Sequence, residues 1–258
     1  MIRRLWRYRH LVASLVRRQF QLRYRQSLAG IGWSVLPPLA SLAAATLVFD
    51  TVAGIDTPRD TPYPLFAFAA LAPWTFFANG LSFGVPSVVM AQQMVSRLPF
   101  PRAALPISSV GTSLVDLAIS SLTFVGFAYV TGAGLPATAA WFPLLILIEV
   151  VLVTGLVLLG SALNVFARDI RLAIPLLAQL WLFLTPVMYP LDQVPSGLRP
   201  WYLLNPMTGL VESFRRALIY GQGPDLGLLM PAMAGAVIAL AVGAWYFAAT
   251  EKRFADVI

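Results

Sequence analysis

Uncharged stretches long enough to cross a bilayer alternate along this chain with short clusters of arginine. A crossing needs about 20 largely apolar residues. Residues 26–49 carry no charge, and residues 61–96 form a second uncharged run, too long for one upright crossing. Pro62, Pro64, Pro73 and Pro86 punctuate that run, which predicts a kinked helix with an irregular start. Between 103 and 167 the only charges are Asp116 and Glu149, and Gly132, Gly134 and Pro136 divide the stretch in two. The pattern therefore predicts an all-α integral membrane protein, one membrane domain over 1–258. Its six transmembrane helices fall near residues 30–52, 63–92, 104–131, 138–167, 172–191 and 226–250.

Two further segments have a different period. In residues 1–29, Leu5, Tyr8, Val12, Leu15 and Val16 share one helical face, while Arg3, Arg7, Arg17, Arg18 and Arg25 gather opposite. That is the pattern of an amphipathic helix lying in the membrane interface, its basic side towards anionic headgroups, although Arg9 and Arg23 interrupt it. A basic tail that only sets topology is the alternative. In residues 192–225, Leu210, Phe214 and Leu218 recur at helical spacing after an Asn205-Pro206 break, with Glu212, Arg215 and Arg216 between them. This segment reads as a short re-entrant or amphipathic helix between spans five and six, with a solvated loop as the plainer alternative.

Charge then orients the helices. With the N-terminus in the cytoplasm, fourteen of the eighteen basic residues lie on that side, and only Arg59, Arg199, Arg215 and Arg216 lie outside. Both termini are expected in the cytoplasm. A formal charge of +7 could suggest nucleic acid, but the basic residues crowd the first 25 positions and a few short gaps, so no nucleic-acid surface is expected. The chain is 59% apolar and 11% charged, against roughly half and a quarter in soluble domains. No cleaved leader is read, because eight arginines are interleaved with the apolar residues at the start.

Several chemistries are missing. There is no cysteine and only His10, so neither disulfides nor a metal site is expected. No G-x-x-x-x-G-K-[ST] phosphate loop, G-x-S-x-G elbow or H-E-x-x-H appears, and the only lysine is Lys252. No catalytic residue is assigned. Asp116 stands out, with Thr112, Ser113 and Ser120 at helical spacing around it. Intramembrane carboxylates usually face a bundle interior or a wet cavity, so either the stripe lines a transport path or the facing helix, or its carboxylate is satisfied by hydroxyls or an arginine from a neighbouring helix. Glu149 has apolar sequence neighbours and receives no role. Gly80 and Gly84 would permit close helix contact. Aromatic residues are abundant in and around the spans, Phe76, Phe77, Trp181 and Phe183 among them, and would serve packing, interface anchoring or a sugar-lined path.

Several motifs resemble one family in order along nearly the whole chain. They are Leu22-Arg23-Tyr24-Arg25-Gln26-Ser27 with Gly30, Trp33 and Pro37; Pro73-Trp74-Thr75-Phe76-Phe77; and Phe100-Pro101-Arg102 with Leu105-Pro106-Ile107-Ser108-Ser109-Val110. Asn164-Val165-Phe166 with Arg168-Asp169-Ile170 follows, then Thr185-Pro186-Val187-Met188-Tyr189-Pro190, Leu204-Asn205-Pro206-Met207-Thr208 with Phe214-Arg215, and Phe254-Ala255-Asp256-Val257-Ile258. Together they resemble the membrane (permease) subunits of type-2 ABC exporters that move polysaccharides such as O-antigen, capsule and teichoic acid. Gln19 departs from the pattern, standing where many such subunits carry an acidic residue.

The resemblance implies a homodimer in the bacterial inner membrane, with a channel between its halves and two separate ATP-binding subunits below. No cofactor would be bound by this chain; ATP and Mg²⁺ would sit on the partner. Arg97, Arg102, Arg168, Asp169 and Arg171, in the turns 97–106 and 168–174, would dock those subunits. Arg18, Arg23 and Arg25 would face the diphosphate of a lipid-linked polysaccharide. Phe76, Phe77, Thr112, Asp116, Trp181, Phe183 and Tyr189 are channel-lining candidates, and Asn205, Glu212, Arg215 and Arg216 form a candidate outer gate. Export of a drug or lipid, an intramembrane transferase using Asp116, and an ion-coupled carrier remain as rivals.

Overall fold

The computed structural model describes residues 8–24, 32–48, 57, 61–97 and 100–254. Arg25, much of the first expected span's borders and the last four residues lie outside them, as do the side chains of Arg23 and Arg97. The described elements are helical throughout. They are α1 (Arg9–Tyr24), α2 (Gly32–Ala45), α3 (Tyr63–Gly84), α4 (Ser87–Met90), α5 (Gln92–Arg97), α6 (Ala104–Val130), α7 (Phe142–Phe166), α8 (Ile170–Phe183), α9 (Arg199–Leu204), α10 (Pro206–Leu218) and α11 (Leu226–Thr250). Short 3₁₀ turns precede α7, follow α8 and extend α11.

Among the described residues four segments are long and apolar enough to cross a membrane: Tyr63–Gly84, Ala104–Val130, Ala137–Phe166 and Leu226–Arg253. Two shorter apolar helices, Leu39–Val48 and Ile170–Phe183, overlap the first and fifth expected spans without reaching the length of a crossing, and the fifth stops at Phe183, short of the expected 191. The expected breaks are present. Gly132 and Gly134 take positive φ (77° and 65°), a backbone that favours glycine, and end α6. The second uncharged run stops being one helix at Val85-Pro86 and continues as the short α4 and α5. Pro73, by contrast, sits inside α3 without dividing it.

Helix α3 is the central post, with Phe66, Phe68, Phe76 and Phe77 all fully buried. It packs against α2, α6, α7, α8 and α10. In lipid the hydrophobic effect does not drive helices together, so small residues that admit close approach decide the pairing. Gly80 and Gly84 receive Val153 and Val157 of α7, so the spacing noted in the sequence is a contact surface. The most extensive pairing is α7 with α11. There Gly155 lies against the backbone of Ala239 and Leu240, and Gly243 against the carbonyl of Gly155, where a methyl group would have no room. Hydroxyls within the spans bond the preceding turn, as Thr75 does to the Leu71 carbonyl (2.7 Å) and Ser121 to that of Leu117 (2.7 Å).

One end of the bundle gathers both described ends of the chain. Helix α1 packs on the start of α6, and Leu15 joins Val88, Leu105, Leu158 and Phe247 in a small core. Phe254 closes it edge-on to Phe247 (5.2 Å) and Phe166 (6.2 Å). The turns before α6 and after α7 lie at this terminal end. Helices α9 and α10 lie at the far end.

Candidate functional site

At the far end a buried clasp joins four separate stretches of chain. Asn205 caps α10, its Oδ1 accepting from the Met207 amide (3.1 Å), and the same oxygen accepts from Trp181 Nε1 (3.1 Å). Its Nδ2 donates to Thr185 Oγ1 (2.8 Å) and to the Leu184 carbonyl (3.2 Å). One side chain therefore holds the start of α10 to the end of α8. Trp181 also meets the buried Phe77 ring edge-on at 5.0 Å.

Arg215, three turns along α10, is fully buried. Its guanidinium donates to the carbonyls of Pro186 (2.6 Å), Val187 (2.6 Å), Tyr189 (3.4 Å) and Phe66 (3.3 Å). Its Cζ lies 3.6 Å from the centre of the Phe66 ring. The helix α8 cannot continue through Thr185-Pro186, and the carbonyls left over at that break need donors. Arg215 supplies them, with Glu212 Oε2 3.9 Å away. Helix α10 is not one of the four spanning segments. Burial lowers the Arg215 guanidinium to about 10, so it stays cationic at neutral pH, while burial pushes the Glu212 carboxyl up against the opposing pull of Arg215 and Arg216. Tyr189 donates to the Phe183 carbonyl (2.7 Å) and shares a hydrogen bond with Tyr202 (2.9 Å); Tyr63 donates to the Met188 carbonyl (2.9 Å).

Of the gate candidates, Asn205 and Arg215 are thus internal fasteners, whereas Arg216 is turned outward and pairs with Asp225 (3.3 Å). The channel candidates separate in the same way. Phe76, Phe77, Thr112 and Asp116 are buried within one copy. Thr112 is engaged between helices: its hydroxyl donates to Gln19 Oε1 (3.1 Å), and Gln19 Nε2 donates to Ser108 Oγ (3.0 Å). Gly111 leaves the room that Val16 occupies beside this pair. Asp116 is buried one turn further on and is itself partnered. Ser108 and Thr112 therefore fasten α1 to α6 over its first turns. Phe183 is 61% exposed, and Trp181 and Tyr189 are half-buried, so these three remain at the protomer's surface.

At the terminal end, Asn164 is fully buried and accepts from the Arg171 amide (3.1 Å), which folds the turn so that Arg168, Asp169 and Arg171 are exposed together. Arg102 is engaged within the chain: its guanidinium donates to the Glu251 carbonyl, and its amide to Glu251 Oε1 (2.9 Å). Arg17 and Arg18 on α1 are exposed. Glu149, on α7, is 0% exposed, and its carboxylate oxygens meet no hydrogen-bond partner among the described residues. Among the described residues no group of acidic or histidine side chains is placed to hold a metal ion.

Sequence reasoning found Asn205 and Arg215 but not their work; it noted Gln19 only as a departure from the family pattern and Asn164 only within a motif, and gave neither a structural role. Only their presence inside otherwise apolar helical faces could have marked them, since a polar group there must find a partner.

Known proteins resemble this chain over its length. The ABC-2 type transporter family profile matches residues 10–219. An O-antigen export system permease protein of Myxococcus xanthus, RfbA, is 30% identical over 262 residues, covering 100% of this chain and 99% of its own. A protein of the same name from Klebsiella pneumoniae is 24% identical over 249 residues, 96% of this chain and 95% of that one. The polysialic acid transport protein KpsM of Escherichia coli is 21% identical over 218 residues, 81% of each.

Proposed function

Because the chain belongs to the ABC-2 type transporter family, we propose that it is the membrane subunit of an ATP-driven exporter of a lipid-linked surface polysaccharide, with O-antigen the first candidate. The observation that carries the reading is similarity to an O-antigen permease from end to end, including both the helical spans and the segment that forms the far-end clasp. Four long spans, with the two shorter apolar helices taken as further crossings, support a six-span topology in the inner membrane. The terminal end, with its basic turns, faces the cytoplasm. Two copies form the channel, and separate ATP-binding subunits supply the energy, since this sequence has no phosphate loop.

The parts divide the work accordingly. Arg168, Asp169 and Arg171, presented by the Asn164 turn, dock the ATP-binding subunit, with Arg97 and Arg102 as further docking residues. The exposed Arg17 and Arg18 on α1, followed by Arg23 and Arg25, hold the diphosphate of the carrier lipid at the inner leaflet. Because Gln19 ties α1 to α6, movement of the headgroup helix is transmitted to a span rather than lost in a free tail. Trp181, Phe183 and Tyr189 contribute a sugar-facing surface between the copies, and the clasp region forms the outer gate.

Deleting the gene should remove the surface polysaccharide and leave lipid-linked glycan inside the cell. The wild-type chain should restore export. Arg168→Glu should leave the partner hydrolysing ATP without export. Unchanged surface polysaccharide in the deletion strain would overturn the reading, and unimpaired export by Arg168→Glu would overturn the docking assignment.

A further inference from the structure

Beside the clasp, the far end holds a cavity of about 420 Å³ between residues 190–192, α9, the outward side of α10 and the start of α11. Glu212 and Arg216 stand one turn apart on α10, and Tyr220, just past the helix end, joins them in the lining. Asp192 faces them from the opposite wall and Asp225 from the start of α11, while Leu203 and Leu228 contribute an apolar part of the lining. The polar groups are held in place. Arg216 Nε donates to the Gly223 carbonyl (3.2 Å) and its Nη1 pairs with Asp225 Oδ2 (3.3 Å), whose other oxygen caps α11 at the Gly227 amide (2.8 Å). The carboxylates stand at two depths, with the Asp192 side chain 87% exposed and that of Glu212 16%.

The lining discriminates between ligand chemistries. Each carboxylate faces a guanidinium, Asp192 that of Arg199 (3.8 Å), Glu212 that of Arg215 (3.9 Å) and Asp225 that of Arg216 (3.3 Å), so the lining has no net positive charge to hold a phosphate or diphosphate. A lipid tail gains nothing from five polar groups. A metal ion lacks a cluster of ligands among the described residues. A pyranose ring fits each part: carboxylates accept from neighbouring hydroxyls, the guanidinium and the tyrosine donate, and the leucines meet the ring's C–H face. The volume falls within the range of roughly 300–1,000 Å³ usual for small-ligand sites.

We infer that this cavity is a sugar subsite that takes one or two residues of the exported glycan as it leaves the membrane. The inference rests on the proposed function. The site is a weak one, because a moving polymer must leave as readily as it arrives; a Kd on the order of 1 mM suits that need. Its occupant is an uncharged sugar rather than an acidic one, because the paired lining offers no net positive charge to an acid.

The test uses the full chain in lipid nanodiscs, with short oligosaccharides released by mild acid from the host's own surface polysaccharide, read by saturation-transfer NMR. Wild type should bind, and Glu212→Gln and Leu203→Trp should each weaken binding about fivefold or more. Asp192→Asn, at an exposed side chain, should do so with an unaltered melting temperature. Absence of binding by wild type, equal binding by all three variants, or binding that follows added calcium with the sugar omitted would overturn the site. Export in the deletion strain separates the two ideas. If the wild-type chain fails to restore surface polysaccharide, the functional reading falls. If it restores export while the variants bind as wild type does, only the subsite falls.

Discussion

Replacing Arg215 by methionine keeps the length and apolar stem of the side chain and removes the guanidinium alone. Two of its bonds, to Pro186 and Val187, are short at 2.6 Å, and hydrogen bonds from a charged donor contribute about 1.5–3 kcal/mol each. Stacking on Phe66 at 3.6 Å contributes about 1–2 kcal/mol more in a desolvated setting. Relief from burying a cation offsets part of this, as replaced buried ion pairs demonstrate. The carbonyls at the α8 break would then be left without a donor, and Glu212 would lose its nearest cation. We therefore expect a net loss of about 3 kcal/mol, or a fall in melting temperature on the order of 10 °C. Arg215→Lys should recover less than half, because a single ammonium cannot reach carbonyls on both sides as a planar fork does. The assay is the thermal loss of the monodisperse peak of a fluorescent fusion in detergent. A methionine variant melting within about 2 °C of wild type would refute the clasp as a source of stability.

Three other changes test separate contacts. Gly155→Ala should cost about 1–3 kcal/mol, because the new methyl meets the α11 backbone, whereas Gly126→Ala, with nothing within 4 Å, should be neutral or stabilising in the same melting assay. Gln19→Leu removes two side-chain bonds of about 1 kcal/mol each, so α1 should open roughly thirtyfold more often. Trypsin cleavage at the exposed Arg17 and Arg18 would report that opening, and an unchanged cleavage rate would disprove the fastening role. Glu149→Leu replaces a buried carboxyl that has no hydrogen-bond partner among the described residues, so melting should be unchanged or raised. A raised melting temperature with lost export would instead assign the carboxyl to transport.

The helices were legible from local pattern, and so were several of their limits. Gly132 and Gly134 ended a span as their conformational freedom suggested, and Asn205 before Pro206 began a helix as a cap should. The Gly80 and Gly84 spacing marked a contact surface, though not that Val153 and Val157 would fill it. The stripe of Thr112 and Asp116 was visible too, but its purpose was not. A hydroxyl that lines a path and one that holds a neighbouring helix have the same periodicity. Thr112 bonds Gln19, which stands in another helix. Arg102 illustrates the same gap: an arginine in a short basic turn looked free for a partner, yet it is bonded to Glu251.

Lipid offers no hydrogen bonds, so each span must satisfy its backbone within itself, and a run of apolar residues therefore declares a helix without reference to the rest of the chain. Span order and several breaks follow from that local demand, though not the stop of α8 at Phe183. The assembly of those helices does not. It depends on a few polar and small residues whose partners lie far away along the chain: Gln19 with Ser108 across 89 positions, and Arg215 with the Phe66 carbonyl across 149. Nothing in the neighbourhood of either residue names its partner, because the choice is made only when folded helices meet and each buried polar group takes the donor or acceptor within reach.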